Sequence, residues 1–255
     1  MSNKIENVRN LYLKGIRDGD AANAVNRYTG ERYTQHSTGV ANGPQGFIDF
    51  FEPFIARNPD RDIQLIRMIE DGPYVFCQAY QSLNDGAAEW VTTDLFDTDE
   101  QELIVEHWDV IGQFKKNLNT GEDMIGGDTI IKDQDKTVEN KKHINEFVKR
   151  VLQQQELNLF ENFVHENCIQ HIPNVANGRE ALKAWFNSDE FGEYEMLFKC
   201  IGQGNFVVTY GKTHADNKDY AVFHIYRLEE GLIVECWDNA EEILPREQWN
   251  NSGKF

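Results

Sequence analysis

The sequence predicts an α+β protein built from two tandem copies of one domain. Two motifs that recur in the same order predict the duplication. Helical periodicity followed by alternating strands, found in each copy, predicts the class. Gln35-His36-Ser37-Thr38-Gly39-Val40-Ala41-Asn42-Gly43 returns at an offset of 135 as Gln170-His171-Ile172-Pro173-Asn174-Val175-Ala176-Asn177-Gly178, with six of nine positions identical. Leu103-Ile104-Val105-Glu106-His107-Trp108-Asp109 returns at an offset of 129 as Leu232-Ile233-Val234-Glu235-Cys236-Trp237-Asp238. The first copy therefore holds six more residues between its motifs.

Each copy opens on a helix. Ile5, Val8, Leu11, Tyr12, Gly15 and Ile16 keep i, i+3, i+4 spacing, as do Ile144, Phe147, Val148, Val151 and Leu152. Shorter helices are expected over 21–28 and 157–163. A third pair, over 44–56 and 179–186, is entered through Asn42-Gly43 and Asn177-Gly178. Strands follow over 63–70, 74–82, 89–97 and 103–111, with counterparts over 195–203, 206–213, 219–228 and 231–240. Asp71-Gly72-Pro73, Asn84-Asp85-Gly86 and Glu230-Gly231 supply the turns. Between the copies the chain is polar and glycine-bearing, with Thr129-Ile130-Ile131 as a candidate short strand. The expected division is a first domain over 1–114, a linker over 115–135 and a second domain over 136–255.

Charge narrows the partners. The net charge of −18 divides into −11 for residues 1–130 and −7 for residues 131–255. Both halves would repel phosphate backbones and anionic lipid, so no nucleic acid and no membrane partner is expected. No apolar run is long enough to span a bilayer. Cys77, Cys168, Cys200 and Cys236 form neither a CxxC pair nor a zinc spacing. They read as reduced, mostly buried thiols of a cytoplasmic protein. Phosphate-cradling loops, dinucleotide fingerprints, G-x-S-x-G and HExxH are absent, and the seven histidines are too scattered to predict a metal site.

The residues Tyr33-Thr34-Gln35-His36, Asp94-Leu95-Phe96 and Ile104 to Ile111 of the first copy carry a family resemblance, as do Cys168 to His171, His224 to Arg227 and Ile233 to Asp238 of the second. On these motifs the chain resembles SnoaL-like proteins of the nuclear-transport-factor-2-like (NTF2-like) superfamily, shared with ketosteroid isomerases and polyketide cyclases. The resemblance implies two cone folds, each with three helices packed on a curved antiparallel sheet around an apolar pocket. It implies no cofactor, a small apolar ligand, and pairing of the two domains as an intramolecular pseudo-dimer, with room for a further homo-oligomer.

The same resemblance supplies candidate acid–base groups. His36 and His171 stand where relatives carry a carboxylate base before the third helix. Either histidine could move a proton near neutral pH, or simply cap the turn that follows it. Asp94 stands where cyclase-like members place an acid/base, and His224 replaces it in the second copy. An inward Asp94 would be pushed toward a working range by its apolar surroundings; an outward one would be a solvated charge. Tyr80 and Tyr210 are candidates to hold an enolate oxygen, or else aromatic packing residues. Trp108, Trp237, Glu106 and Glu235 alternate along the last strand and could contact substrate or tie the strand in place. The expected function is a cofactor-independent acid–base enzyme, an isomerase, cyclase or aldol-type catalyst, acting on a small apolar carbonyl compound. The competing expectation is a non-catalytic small-ligand-binding or assembly domain.

Overall fold

The structure, a computed structural model, describes residues 2–117 and 120–255. Positions 1, 118 and 119 of the expected segments lie outside the described residues. Two units emerge, each α+β. In the first, α1 (Asn3–Asn10) runs on as a wider π-helical segment, Leu11–Arg17, and is followed by α2 (Ala21–Tyr28), β1 (Thr29–Gln35) and α3 (Gly43–Arg57). Four strands complete it: β2 (Arg61–Asp71), β3 (Tyr74–Leu83), β4 (Ala88–Thr98) and β5 (Ile104–Gln113). The second unit repeats the order. It has α4 (Thr137–Phe147) with its own π-helical extension, Val148–Gln153, a 3-10 helix at Leu157–Asn162, β6 (Val164–Gln170) and α5 (Arg179–Phe186). Its remaining strands are β7 (Glu193–Gln203), β8 (Phe206–Ala215), β9 (Lys218–Glu229) and β10 (Leu232–Glu242).

Both sheets have the same topology, β1-β5-β4-β3-β2 and β6-β10-β9-β8-β7. Neighbours pair antiparallel except at β1–β5 and β6–β10, which are parallel. Bulges between Leu65 and Arg67 in β2, and at two places in β7, add the local bend that curves a sheet over its helices. The helices bury Val8, Leu11, Val25 and Phe47 against Val75, Cys77 and Phe96 in unit 1. In unit 2, Phe147, Val151, Leu182 and Phe186 pack against Val207, Val222 and Tyr226.

Two differences from the sequence reading matter. The strands β1 and β6 were not expected, because Thr29-Gly30-Glu31-Arg32 and Val164-His165-Glu166-Asn167 alternate weakly and lie at a sheet edge, half exposed. The domain boundaries also differ. Unit 1 comprises residues 1–113 with Leu244–Phe255, and unit 2 comprises Phe114–Ile243. The stretch expected as a linker is therefore part of unit 2, and the last residues of the expected second domain belong to unit 1. Backbone hydrogen-bonding groups need partners, and both segments find theirs this way. Thr129-Ile130-Ile131 forms no strand; the neighbouring Lys132 bonds instead to Asn205 through N–H to Oδ1, 2.8 Å, and through its carbonyl, 2.9 Å. Among the described residues no helix is long and apolar enough to cross a membrane.

Candidate functional site

The recurring motifs meet each other in both units. His36 N–H donates to the His107 carbonyl at 2.8 Å, and His171 N–H to the Cys236 carbonyl at 2.9 Å. This seats each histidine ring flat on the tryptophan of the neighbouring strand. His36 lies 4.9 Å from Trp108 at 6°, and His171 lies 4.7 Å from Trp237 at 5°. His36 Nε2 meets Glu106 Oε1 at 2.9 Å, and its Nδ1–H donates to the Gly253 carbonyl at 2.6 Å. His171 repeats both contacts, to Glu235 Oε1 and to the Asp123 carbonyl, each at 2.9 Å. Arg32 reaches Glu106 at 3.0 Å and Arg227 reaches Glu235 at 2.6 Å. Each His–Glu–Trp set is a clasp that ties a loop to the sheet.

A cavity of about 270 Å³ opens in unit 1. Its walls are Leu11, Ile16, Phe47, Phe51 and Phe54, and its mouth carries Phe50, Trp90 and Ile111, three large apolar side chains that remain over a third exposed. A polar floor faces these walls. Strand alternation sends Asp94 and Phe96 of β4, with His107 and Asp109 of β5, to the inner face. Asp94 Oδ1 meets His107 Nε2 at 2.8 Å, and His107 Nδ1–H donates to Gln35 Oε1 at 2.9 Å. Gln35 Nε2–H in turn donates to the Tyr33 hydroxyl at 2.8 Å, which leaves that hydroxyl its own proton to give. The parallel register Gln35↔His107 sets this chain of contacts. Phe96 stacks on the His107 ring at 4.5 Å and fixes its plane.

Asp94 is 1% exposed and its Oδ2 has no partner at hydrogen-bond length. Burial pushes its carboxyl above the ordinary range; contact with His107 opposes the rise, and Asp109 adds to it. Tyr12, from the π-helical segment, stands close by with its hydroxyl 3.1 Å from Thr92 Oγ1. Burial raises Tyr12 and Tyr33 well above their ordinary value, so both remain hydrogen-bond donors.

The second unit keeps the frame and loses this chain of contacts. His224 stands at the position of Asp94, Cys236 at that of His107 and Cys168 at that of Tyr33. Gln170 Oε1, deprived of a histidine, has no partner, and its Nε2–H turns to the Cys168 carbonyl at 3.3 Å. His224 is fully buried among the rings of Phe186, Phe191, Tyr194 and Tyr226, at centroid distances of 5.6 to 6.0 Å. Its Nε2 is 3.3 Å from Asp238 Oδ2, out of hydrogen-bond alignment.

The sequence-derived candidates divide accordingly. Asp94 lines the cavity. His36, Glu106 and Trp108 belong to the clasp and are not among the lining residues, because Glu106 and Trp108 alternate away from His107 and Asp109. His171, Glu235 and Trp237 form the second clasp. Tyr80 projects from the other face of β3 to Glu89, and Tyr210 stacks on Phe223 at 4.3 Å on the corresponding face of unit 2. His107, Gln35, Tyr33, Tyr12 and Asp109 were not singled out. A signal is present in the alternation of β5, which puts His107 and Asp109 on one face, but the second copy carries Cys236 in place of His107 and so does not repeat it.

No family model matches the chain, and no curated protein matches it. Among solved structures it is similar to an NTF2-like protein of unknown function from Cytophaga hutchinsonii, at 20% identity over 45% of this chain and 95% of that one, TM-score 0.36. A second NTF2-like protein of unknown function, from Burkholderia xenovorans, is 16% identical over 45% and 95%, TM-score 0.38. A protein from Jannaschia assigned as a SnoaL-like polyketide cyclase is 15% identical over 42% and 84%, TM-score 0.36.

Proposed function

We propose that unit 1 is a cofactor-independent acid–base enzyme that shifts a carbon-bound proton in a small apolar carbonyl compound. One observation carries the reading: a buried carboxylate oxygen, Asp94 Oδ2, without a partner, on the floor of an otherwise apolar cavity. Such an oxygen is costly to maintain for packing alone. Asp94 Oδ2 takes the proton from the carbon next to the carbonyl. His107, held in one orientation by Gln35 and Phe96, shares the Asp94 proton through Oδ1 and steadies whichever state results. Tyr33, whose hydroxyl proton is free, donates to the developing enolate oxygen. The proton then returns from Asp94 to the same or a neighbouring carbon. At about 270 Å³ the cavity is at the small end of ligand sites, which suits one or two fused rings.

The loss of the contact chain in unit 2, with Cys236 at the position of His107 and Cys168 at that of Tyr33, favours a different role for the second copy, that of a structural partner without turnover.

The test is entry of solvent deuterium into a panel of ketones (cyclohexanone, 1-indanone and 2-tetralone), followed by proton NMR. Exchange above the buffer rate is expected for at least one ketone, with a fall of about 100-fold or more in Asp94→Asn. Exchange at the buffer rate throughout the panel, or an undiminished rate in Asp94→Asn, would sink the proposal.

A further inference from the structure

Lys254 is 2% exposed, an unusual place for an ammonium. Its Nζ donates to Asp109 Oδ1 at 2.9 Å and to the Asp109 carbonyl at 3.0 Å. The segment that carries it is fastened to unit 1 along its length. Asn250 bonds to the Thr38 and Gly39 carbonyls, Asn251 Nδ2–H donates to the Ser37 and Val40 carbonyls at 2.6 and 2.9 Å, and the Gly253 carbonyl receives His36. Asn117 makes the repeat-equivalent contacts in unit 2, donating to the Ile172 and Val175 carbonyls at 3.1 and 2.5 Å. The fastening is therefore part of the duplicated frame.

What the segment delivers in unit 1 is a positive charge. Asp94 and Asp109 face each other across the β4–β5 pair, and the proton-binding atoms of Asp94, His107 and Asp109 lie within 4.8 Å of one another. Two carboxylates and one imidazole at that spacing cannot take up charge independently. We infer that Lys254 is a positioning residue that neutralises Asp109 and so leaves a single proton to be shared between Asp94 and His107. The inference rests on reading Asp94 and His107 as the working pair.

The groups that face Asp94 are His107 and Asp109 from β5, Cys77 from β3, Tyr12 from the first helix and Tyr33 from β1. Those that face Asp109 are Lys254, His107, Ser37, Asp94 and Tyr33. Of all these, Lys254 alone carries a permanent positive charge. Burial on its own would raise Asp109, but Lys254 and then His107 outweigh it and hold the carboxyl below its ordinary range. With Asp109 charged and paired, the Asp94–His107 set is electrically neutral whether the proton sits on Oδ1 or on Nε2. Without Lys254, an unpaired Asp109 charge would hold protons on the set to higher pH.

The experiment is a pH titration of the Asp94 side-chain carboxyl by carbon-13 NMR, which needs no substrate. In Lys254→Met the midpoint is expected to rise by about one pH unit or more. In the double variant Lys254→Met/Asp109→Asn it is expected to return toward the starting value, since charge and countercharge are removed together. Asp109→Asn alone leaves the ammonium uncompensated and should displace the midpoint downward, so the proposal stays testable if Lys254→Met does not fold. Asn251→Ala loosens the same segment without altering charge and should leave the midpoint in place. An unmoved midpoint in folded Lys254→Met, an unmoved or raised one in Asp109→Asn, or an equal displacement in Asn251→Ala would each overturn it. A wild-type protein that exchanges no ketone would count against the proposed reaction and leave this titration unaffected.

Discussion

Replacing Glu235 by alanine removes the carboxylate at the centre of the second clasp and strands two buried donors. Glu235 is 2% exposed, with Oε1 on His171 Nε2 at 2.9 Å and Oε2 on Arg227 Nε at 2.6 Å. Breaking a buried pair by deleting one partner costs about 3–5 kcal/mol, because the surviving charge stays desolvated. Glu106→Ala deletes the equivalent group from a wetter place: Arg32, its cationic partner, is more than half exposed. An exposed pair contributes roughly 0–1 kcal/mol. What remains for Glu106 is one charged hydrogen bond to His36, about 1.5–3 kcal/mol. Urea unfolding near neutral pH should therefore rank Glu235→Ala below Glu106→Ala. The pH dependence has a definite sign. Burial would raise Glu235, yet His171 and then Arg227 hold it below its ordinary range. Its stabilisation is thus complete above the unfolded value of about 4.3 and is lost as pH falls through the lower folded value. The gap between wild type and Glu235→Ala should close in that acid window. A cost below about 1 kcal/mol for Glu235→Ala, or lost ketone exchange in a fully stable Glu106→Ala, would refute the clasp.

Three further outcomes are expected. Asp94→Asn should be more stable than wild type at neutral pH: a folded-state carboxyl raised above its unfolded value of about 3.9 costs stability once ionised, and the advantage should vanish in melts taken below that pH. Native thiol labelling should modify Cys200, which is half-buried, before the others. Burial raises Cys77 and Cys236 far up and pushes Cys168 up to about 12, so these three should label only on unfolding. Gly127→Ala should loosen the second clasp, because Gly127 has φ +85° and a methyl group there would collide with the Glu235 carboxylate and the His171 and Trp237 rings. A loss of more than about 1 kcal/mol in urea unfolding is expected.

The frame of the molecule was legible because duplication is visible in a single sequence and strand alternation is a strong local signal. The helices over 21–28 and 179–186 and the β3 start at Tyr74 coincide with those read from spacing. The edge strands β1 and β6 were hidden by their polar composition, and yet β1 is what brings Gln35 beside His107. The candidate site was less legible than the frame. Asp94 was a candidate through the resemblance, and alternation along β4 left open which way it faces. His107 needed the register of β4 against β5, and Lys254 needed a contact 145 residues away in sequence. Of the motifs most similar between the copies, His36, Glu106 and Trp108 form the clasp, whereas Gln35 lines the cavity. Within the pocket the copies keep Gln35 and Asp109 as Gln170 and Asp238, and diverge at Tyr33, Asp94 and His107, where the second copy has Cys168, His224 and Cys236.

The most direct test of unequal copies is ketone exchange measured side by side in Asp94→Asn and His224→Phe. Asp94→Asn should lose the activity by about 100-fold or more. His224→Phe, set among the rings of Phe186, Phe191, Tyr194 and Tyr226, should keep the wild-type rate. Loss of exchange in His224→Phe with full activity in Asp94→Asn would place the chemistry in the second copy and contradict the account.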